Sequence, residues 1–204
     1  MKAPRRVWLV RHGETEGQSS IRYHGHNDVP LSDLGRQQIR ALIPLFSGLQ
    51  PVRIVHSPLS RAAESARILQ KAHGWDAASM VVEERLREIS FGACEGMTAQ
   101  EIEAAHPEFW AQHQRGEADS FPGGESKVAF AARVQRAIGE HADQHEHGDL
   151  VVVAHRGIVR QSLRALLALP KGAEPQHTFS VRLGSLSVAL RDPHWQLELF
   201  DFVP

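Results

Sequence analysis

The chain has 204 residues, 42% of them hydrophobic, enough for one ordinary domain with a sizeable core. Its 23 basic and 24 acidic residues leave a net charge of -1, which excludes a broad basic field for DNA, RNA or an anionic membrane; any positive site must be local. The lone Cys94 allows no internal disulfide, and no segment approaches the roughly 18 uninterrupted apolar residues of a membrane span, so a cytoplasmic location is expected.

Residues 6–10 (RVWLV) predict a buried strand that delivers Arg11, His12 and Gly13 at its C-terminal end. Residues 32–49 carry Ile39, Leu42, Ile43 and Phe46 at helical spacing behind a Ser32 cap. A short strand at 52–56 stops at Ser57-Pro58, a helix covers 60–73 with Ala62, Ala66 and Leu69 on one face, and 80–86 read as a strand. Between 92 and 124 the pattern changes. Thr98 and Glu101 make a capping box, the helix it opens stops near Pro107, a second short helix spans 107–115, and Phe121-Pro-Gly-Gly is a loop. A small helical cap inserted over one end of the sheet is expected there.

A helix over 128–141 has Phe130, Val134 and Ile138 in step. The strand at 150–154 (LVVVA) is apolar without alternation, as when both faces are covered. A helix over 157–169 closes at Pro170, and 185–190 with 196–200 flank Asp192-Pro193 as a C-terminal hairpin. Strands alternating with helices predict an α/β fold. The expected form is a three-layer sandwich with a mostly parallel central sheet flanked by helices, binding ligands at the C-terminal strand ends.

Four polar clusters follow predicted strands: 11–15 (RHGET), 57–61 (SPLSR), Glu88, and 155–157 (HRG). Crossover connections bring such strand ends to one edge, giving a pocket of two histidines, two or three arginines and a carboxylate. That set suits phosphoryl transfer. Guanidinium forks match phosphate oxygens, a helix N-terminus adds N–H donors, and a neutral imidazole is a competent nucleophile at phosphorus. The attacking ring nitrogen is free only if an acceptor holds the other one, and a backbone carbonyl is expected in that place. Two histidines with Glu14 and Glu88 also resemble a zinc set, but Arg11 and Arg61 would repel a cation. Glu88 has a competing role as a partner of Arg85 or Arg87.

With RHGET at 11–15, GHNDVPLS at 25–32, SPLSRAAESA at 57–66, LREISFGACEG at 86–96, PGGES at 122–126 and VVAHRG at 152–157, the chain resembles the histidine phosphatase superfamily, also called the phosphoglycerate mutase-like family. The likeness spans almost the whole chain in order and implies one domain over 1–204 with a cap at about 92–124. It implies that His12 is the phosphorylated nucleophile, that Arg11, Arg61 and His155 form the phosphate pocket, and that Glu88 is the proton donor. It implies no metal, no cofactor and a small phosphorylated metabolite as partner; an oligomeric state is not legible. PGGES and LREISFG-x-x-EG look most like the branch of α-ribazole and broad-specificity phosphatases. A mutase is the alternative, and a non-catalytic phospholigand module is a third reading, although such proteins usually lack the nucleophile or the acid.

Several further positions carry expectations. Gln18 stands where relatives often have a phosphate-touching asparagine, and it is one methylene longer. His24, Gly25 and His26 lie in a loop that relatives use to line the pocket, where one of the two histidines can contact substrate. Arg156 replaces a small residue of many relatives, and either pairs with an acid of the cap or reaches the pocket rim to meet a second anionic group. Phe109 and Trp110 are expected in the cap core, and His141, His145 and His147 on a solvated surface.

Overall fold

The computed structural model describes residues 5–144, 148–169 and 180–204. In chain order the elements are β1 (Arg5–Arg11), β2 (Arg22–Tyr23), α1 (Asp33–Ala41), β3 (Arg53–His56), α2 (Ser60–His73), β4 (Met80–Val82), β5 (Met97–Thr98), α3 (Ala99–Ala105), α4 (Pro107–Gln114), α5 (Lys127–Gln144), β6 (Leu150–Ala154), α6 (Arg156–Leu166), β7 (Leu186–Arg191) and β8 (Trp195–Phe202). Six strands form one sheet in the order β4-β3-β6-β1-β7-β8. The pairs β3–β4, β3–β6 and β1–β6 are parallel; β7 runs against β1 and β8, closing the sheet with the expected hairpin.

Strand periodicity sorts the core into the two faces of a three-layer sandwich. Val7 and Leu9 of β1 and Leu150, Val152 and Ala154 of β6 pack with Phe130, Val134 and Ile138 of α5 and Ile158 and Leu163 of α6. Val10, Val151 and Val153 point the other way, onto Ile39 of α1, Ala66 and Leu69 of α2, and Phe46. Every residue of β6 is buried, which is why LVVVA shows no alternation.

Three expected elements are shorter than their apolar patterns. The helix predicted over 32–49 ends at Ala41 and re-forms as a 3-10 turn, Ile43–Phe46. Pro44 has no N–H to donate into the previous turn, and its ring crowds that turn's carbonyl. The strand predicted over 80–86 ends at Val82; Glu83 then caps a 3-10 turn, Glu84–Leu86, with its carboxylate on the Arg85 N–H at 3.0 Å. Helix α6 stops at Leu166, and Pro170 lies outside the described residues.

The cap holds β5, α3 and α4, with the Thr98–Glu101 capping box at the start of α3. Trp110, Phe121, Ile102 and Cys94 form its buried cluster, with Phe109, Phe91 and Tyr23 against it. Phe109 and Trp110 are therefore cap core, as expected. A two-residue antiparallel ribbon, β2 with β5, fastens the 18–26 loop to the cap. Among the described residues no helix is long and apolar enough to cross a membrane.

Candidate active site

The chain emerges from β1, β3 and β6 side by side. The His12 N–H donates to the Ala154 carbonyl at 3.0 Å and the Ser57 N–H to the Val153 carbonyl at 3.1 Å. This register brings His12, Ser57 and His155 to one edge of the sheet. Above it lies a cavity of about 360 Å³ lined by Arg11, His12, Arg61, Glu88, His155 and Arg156, among others. The four polar clusters thus converge.

The His12 ring lies 2.7 Å, at Nδ1, from the Gly13 carbonyl. A carbonyl only accepts, so Nδ1 carries the hydrogen and Nε2 keeps its lone pair. Burial, then the positive charges of Arg61 and Arg11, push the His12 pKa well below its ordinary value, so the imidazole is neutral. The turn that shapes this bond needs glycine. A Cβ on Gly13 would lie 2.2 Å from the Gly35 carbonyl oxygen, where RHGET crosses the start of α1.

His155 is 1% exposed and its Nε2 lies 2.7 Å from Ser57 Oγ. Ser57 Oγ also accepts from the Leu59 N–H at 3.3 Å, and among the described residues no other acceptor bonds its hydroxyl. The arrangement that leaves no buried hydroxyl proton unsatisfied has Ser57 donating to Nε2. Nδ1 then carries the hydrogen, and it has no partner. Burial first, then Arg61, hold this imidazole neutral as well. Ser57 belongs to the 57–61 cluster, but the sequence gives it no role of its own; its signal is its place, immediately after a strand like His12 and His155.

Arg61, 2% exposed, donates from Nη1 to the Asn27 carbonyl at 2.7 Å and from Nη2 to the Gly25 carbonyl at 2.8 Å. It therefore braces the 24–28 loop while its Nε has no partner. Arg11 donates Nη1 to the Val181 carbonyl at 2.5 Å, and its Nε is likewise unpartnered. Burial, and secondarily the charge of Arg156, lower the Arg11 pKa to about 10, which still leaves it charged at neutral pH.

Glu88 is 8% exposed; its Oε1 accepts from its neighbour Ile89 N–H and its Oε2 from the Gly157 N–H at the start of α6, each at 3.0 Å. It pairs with neither neighbouring arginine: Arg85 binds Glu83 and Glu140, and Arg87 binds Glu84. The Glu88 backbone is clamped too. Its carbonyl accepts from His26 Nε2 at 2.9 Å and from Arg133 Nη2 at 3.1 Å, while Arg133 Nη1 takes the Arg85 and Arg87 carbonyls. Nothing in the α5 periodicity marks Arg133 for this work.

The remaining positions divide. His24 lines the cavity, but its Nε2 is committed to the Gly17 carbonyl at 2.7 Å, and burial lowers its pKa. Its free Nδ1 is then a lone pair, suited to a substrate hydroxyl and not to a phosphate oxygen. Gly25, at φ +51°, lines the cavity; a Cβ there would meet the Glu95 carboxylate at 2.7 Å. Gln18 is exposed and is not among the residues lining the cavity; its backbone takes a left-handed turn (φ 60°), and its carbonyl receives the Ile21 and Arg22 N–H groups. Ser19 and Ser20 line the cavity instead. Arg156 is at the rim, exposed, and bonds no carboxylate of the cap or of any other described residue. His141 is corrected: it is 6% exposed with Nε2 on Glu83 at 3.0 Å, while His145 and His147 lie outside the described residues. Among the described residues no three His, Cys, Asp or Glu side chains converge as a metal-ligand set.

A family model described as "Histidine phosphatase superfamily (branch 1)" matches residues 7–201. The chain is 35% identical over 182 residues to glucosyl-3-phosphoglycerate phosphatase of Mycolicibacterium vanbaalenii, covering 81% of this chain and 76% of that protein. It is 34% identical over 157 residues to phosphoglycerate mutase-like protein 4 of Arabidopsis thaliana, covering 76% and 67% of the two chains. The crystal structure of the alpha-ribazole phosphatase from Shigella flexneri superposes with a TM-score of 0.84 at 25% identity, covering 97% of this chain and 96% of that one.

Proposed function

We propose, for a chain that belongs to the histidine phosphatase superfamily, that it is a phosphatase of small phosphomonoesters working through a phosphohistidine on His12. The observation that carries this is the His12 ring. Its Nδ1–H is fixed on the Gly13 carbonyl, leaving Nε2 as the nucleophile among Arg11, Arg61 and His155, with Glu88 lining the same cavity. In the first step Nε2 attacks phosphorus in line. The N–P bond forms, the ester P–O bond breaks, and the Glu88 carboxyl proton goes to the leaving oxygen. In the second step water attacks the phosphorus, the N–P bond breaks, and the water proton passes to the Glu88 carboxylate.

Arg11, Arg61 and the Nδ1–H of His155 are donors for the equatorial oxygens, where charge is spread in the transition state. The single domain with its cap at 92–124 and a cytoplasmic location go with this reading, as does a small metabolite as the only partner. The net charge of -1 favours neither nucleic acid nor membrane.

Rapid quench with a ³²P-labelled phosphomonoester tests the reading. Acid-labile, base-stable label should appear in the peptide holding His12 and vanish in His12→Asn; label on a serine, or activity retained in that variant, overturns it. The likeness to a phosphoglycerate mutase-like protein favours one other activity, phosphoryl return to the same carbon skeleton. Isomerised phosphoglycerate in place of released inorganic phosphate would identify it.

A further inference from the structure

We infer that Asp201 of β8 is a positioning residue for Arg11, and through Arg11 sets the affinity of the pocket for phosphate. The inference rests on the proposed role of Arg11 as a phosphate donor and goes beyond it, because none of the polar clusters around the pocket points to β8.

The backbone is strained at Asp201. Its φ is +48°, in the left-handed region that residues with a Cβ seldom take. The strain belongs to a bulge. Between the pairs Leu186–Phe202 and Val188–Leu199, β8 sets Phe200 and Asp201 against the single residue Ser187 of β7. The Asp201 N–H turns to Ser187 Oγ at 3.0 Å, and the residue is left 8% exposed. A bulge of this kind re-aims a side chain, and here the side chain is a buried carboxylate.

Its target is one peptide group. The Arg182 backbone N–H donates to Asp201 Oδ1 at 2.6 Å and Arg182 Nε to Oδ2 at 2.9 Å, while Arg182 Nη2 donates to the Asp201 carbonyl. The peptide that carries the Arg182 N–H also carries the Val181 carbonyl, and that carbonyl accepts from Arg11 Nη1 at 2.5 Å. A peptide is planar, with N–H and C=O on opposite sides. Fixing the N–H on Asp201 therefore aims the carbonyl at the guanidinium, and an anionic acceptor polarises the peptide so that its carbonyl accepts more strongly. Among the described residues that carbonyl is the hydrogen-bond partner of the guanidinium, whose buried Nε has none. The same turn is tied to the start of the site twice more, by the Arg11 N–H on the Ser185 carbonyl and the Gly184 N–H on the His12 carbonyl, each at 3.0 Å. Burial is the largest influence lowering the Arg11 pKa, and the charge of Asp201 works against it alongside Glu88 and Glu14. A plain surface ion pair does not account for these features. The Arg182 side chain is 59% exposed, and a pair of that kind contributes too little to justify a strained backbone and a buried carboxylate.

Calorimetric titration with inorganic phosphate tests this without relying on turnover. Asp201→Asn keeps an oxygen for the Arg182 N–H and tolerates a left-handed backbone, but loses the charge and the second acceptor. It should weaken phosphate binding about tenfold, the lower end for a charge-assisted contact because Arg11 is misaimed and not removed. Asp201→Gly, which relieves the strain and removes the carboxylate, should fold and lose at least as much. Arg11→Lys should weaken binding by itself, and adding either Asp201 substitution to it should cost no more than about twofold further, because the fork that Asp201 aims is gone. Unchanged phosphate affinity in the Asp201 variants, losses that multiply in the double variant, or a wild-type chain that binds no phosphate overturns the inference. A chain that binds phosphate and shows the expected coupling, yet releases none from p-nitrophenyl phosphate, supports the role of Asp201 and overturns the phosphatase reading.

Discussion

Gly157→Ala separates the position of the acid from the stability of the fold. A Cβ on Gly157 would sit 2.4 Å from Glu88 Oε1, 3.2 Å from its Cδ and 3.0 Å from Phe130 Cζ. Ordinary contact needs about 3.4 Å, so the Glu88 carboxyl must retreat by about 1 Å and its 3.0 Å bond from the Gly157 N–H is lengthened or lost. The carboxyl is the far end of a flexible side chain, and the Phe130 ring need give only a few tenths of an ångström. Alanine is also the better helix former, by less than the roughly 1 kcal/mol of a helix interior because Gly157 is the second residue of α6; this offsets part of the crowding, so the melting temperature should change little. Catalysis should not be spared. A 1 Å misplacement of a reacting group can cost about 10²-fold, and the loss should appear in kcat for alkyl phosphates. It should shrink for p-nitrophenyl phosphate, whose leaving group hardly needs a proton. A folded Gly157→Ala enzyme within twofold of wild type on an alkyl phosphate would refute the assignment of Glu88 as the acid, and so would equal losses on both substrates.

Ser57→Ala removes the donor that sets the His155 tautomer; kcat/KM should fall about tenfold, with more scatter in KM than in folding, and wild-type kinetics would show that the tautomer is set elsewhere. Because His12 and His155 are held neutral in the folded chain, the acid limb of kcat should lie below the ordinary value of 6.5, and a limb centred at or above it would contradict the burial argument. The same shifts make the unfolded chain the better proton binder. Their stability contribution is therefore present above about pH 6.5 and is lost as pH falls below it toward the depressed folded values, which a melting series in pH will report. Activity should survive exhaustive chelation and be inhibited by vanadate; loss on EDTA treatment restored by zinc or magnesium would mean that the arginines do not supply the positive charge.

Local pattern carried much of this protein. Helical spacing and caps located α2 over 60–73 and α3 behind the Thr98–Glu101 box, because those signals are made by neighbours in the chain. The same holds for β6, whose unbroken apolar run states its burial on both faces. His12, Arg61, Glu88 and His155 were legible because each stands in a polar cluster just past an apolar strand. Sequence was silent wherever the partner is distant. Ser57 meets His155 98 positions away, and Arg133 reaches back 45 positions to the Glu88 carbonyl. Gln18 resembled a phosphate contact by position, yet it stands exposed in a left-handed turn (φ 60°) and is not among the residues lining the cavity. His141 looked like a surface residue until α5 packed it against Glu83. The sequence by itself determined which groups are available for phosphoryl transfer. Only the tertiary structure decided which ring nitrogen is free and which carboxylate stays unpaired with an arginine, because those depend on hydrogen bonds and charges between segments that meet only when the sheet is assembled.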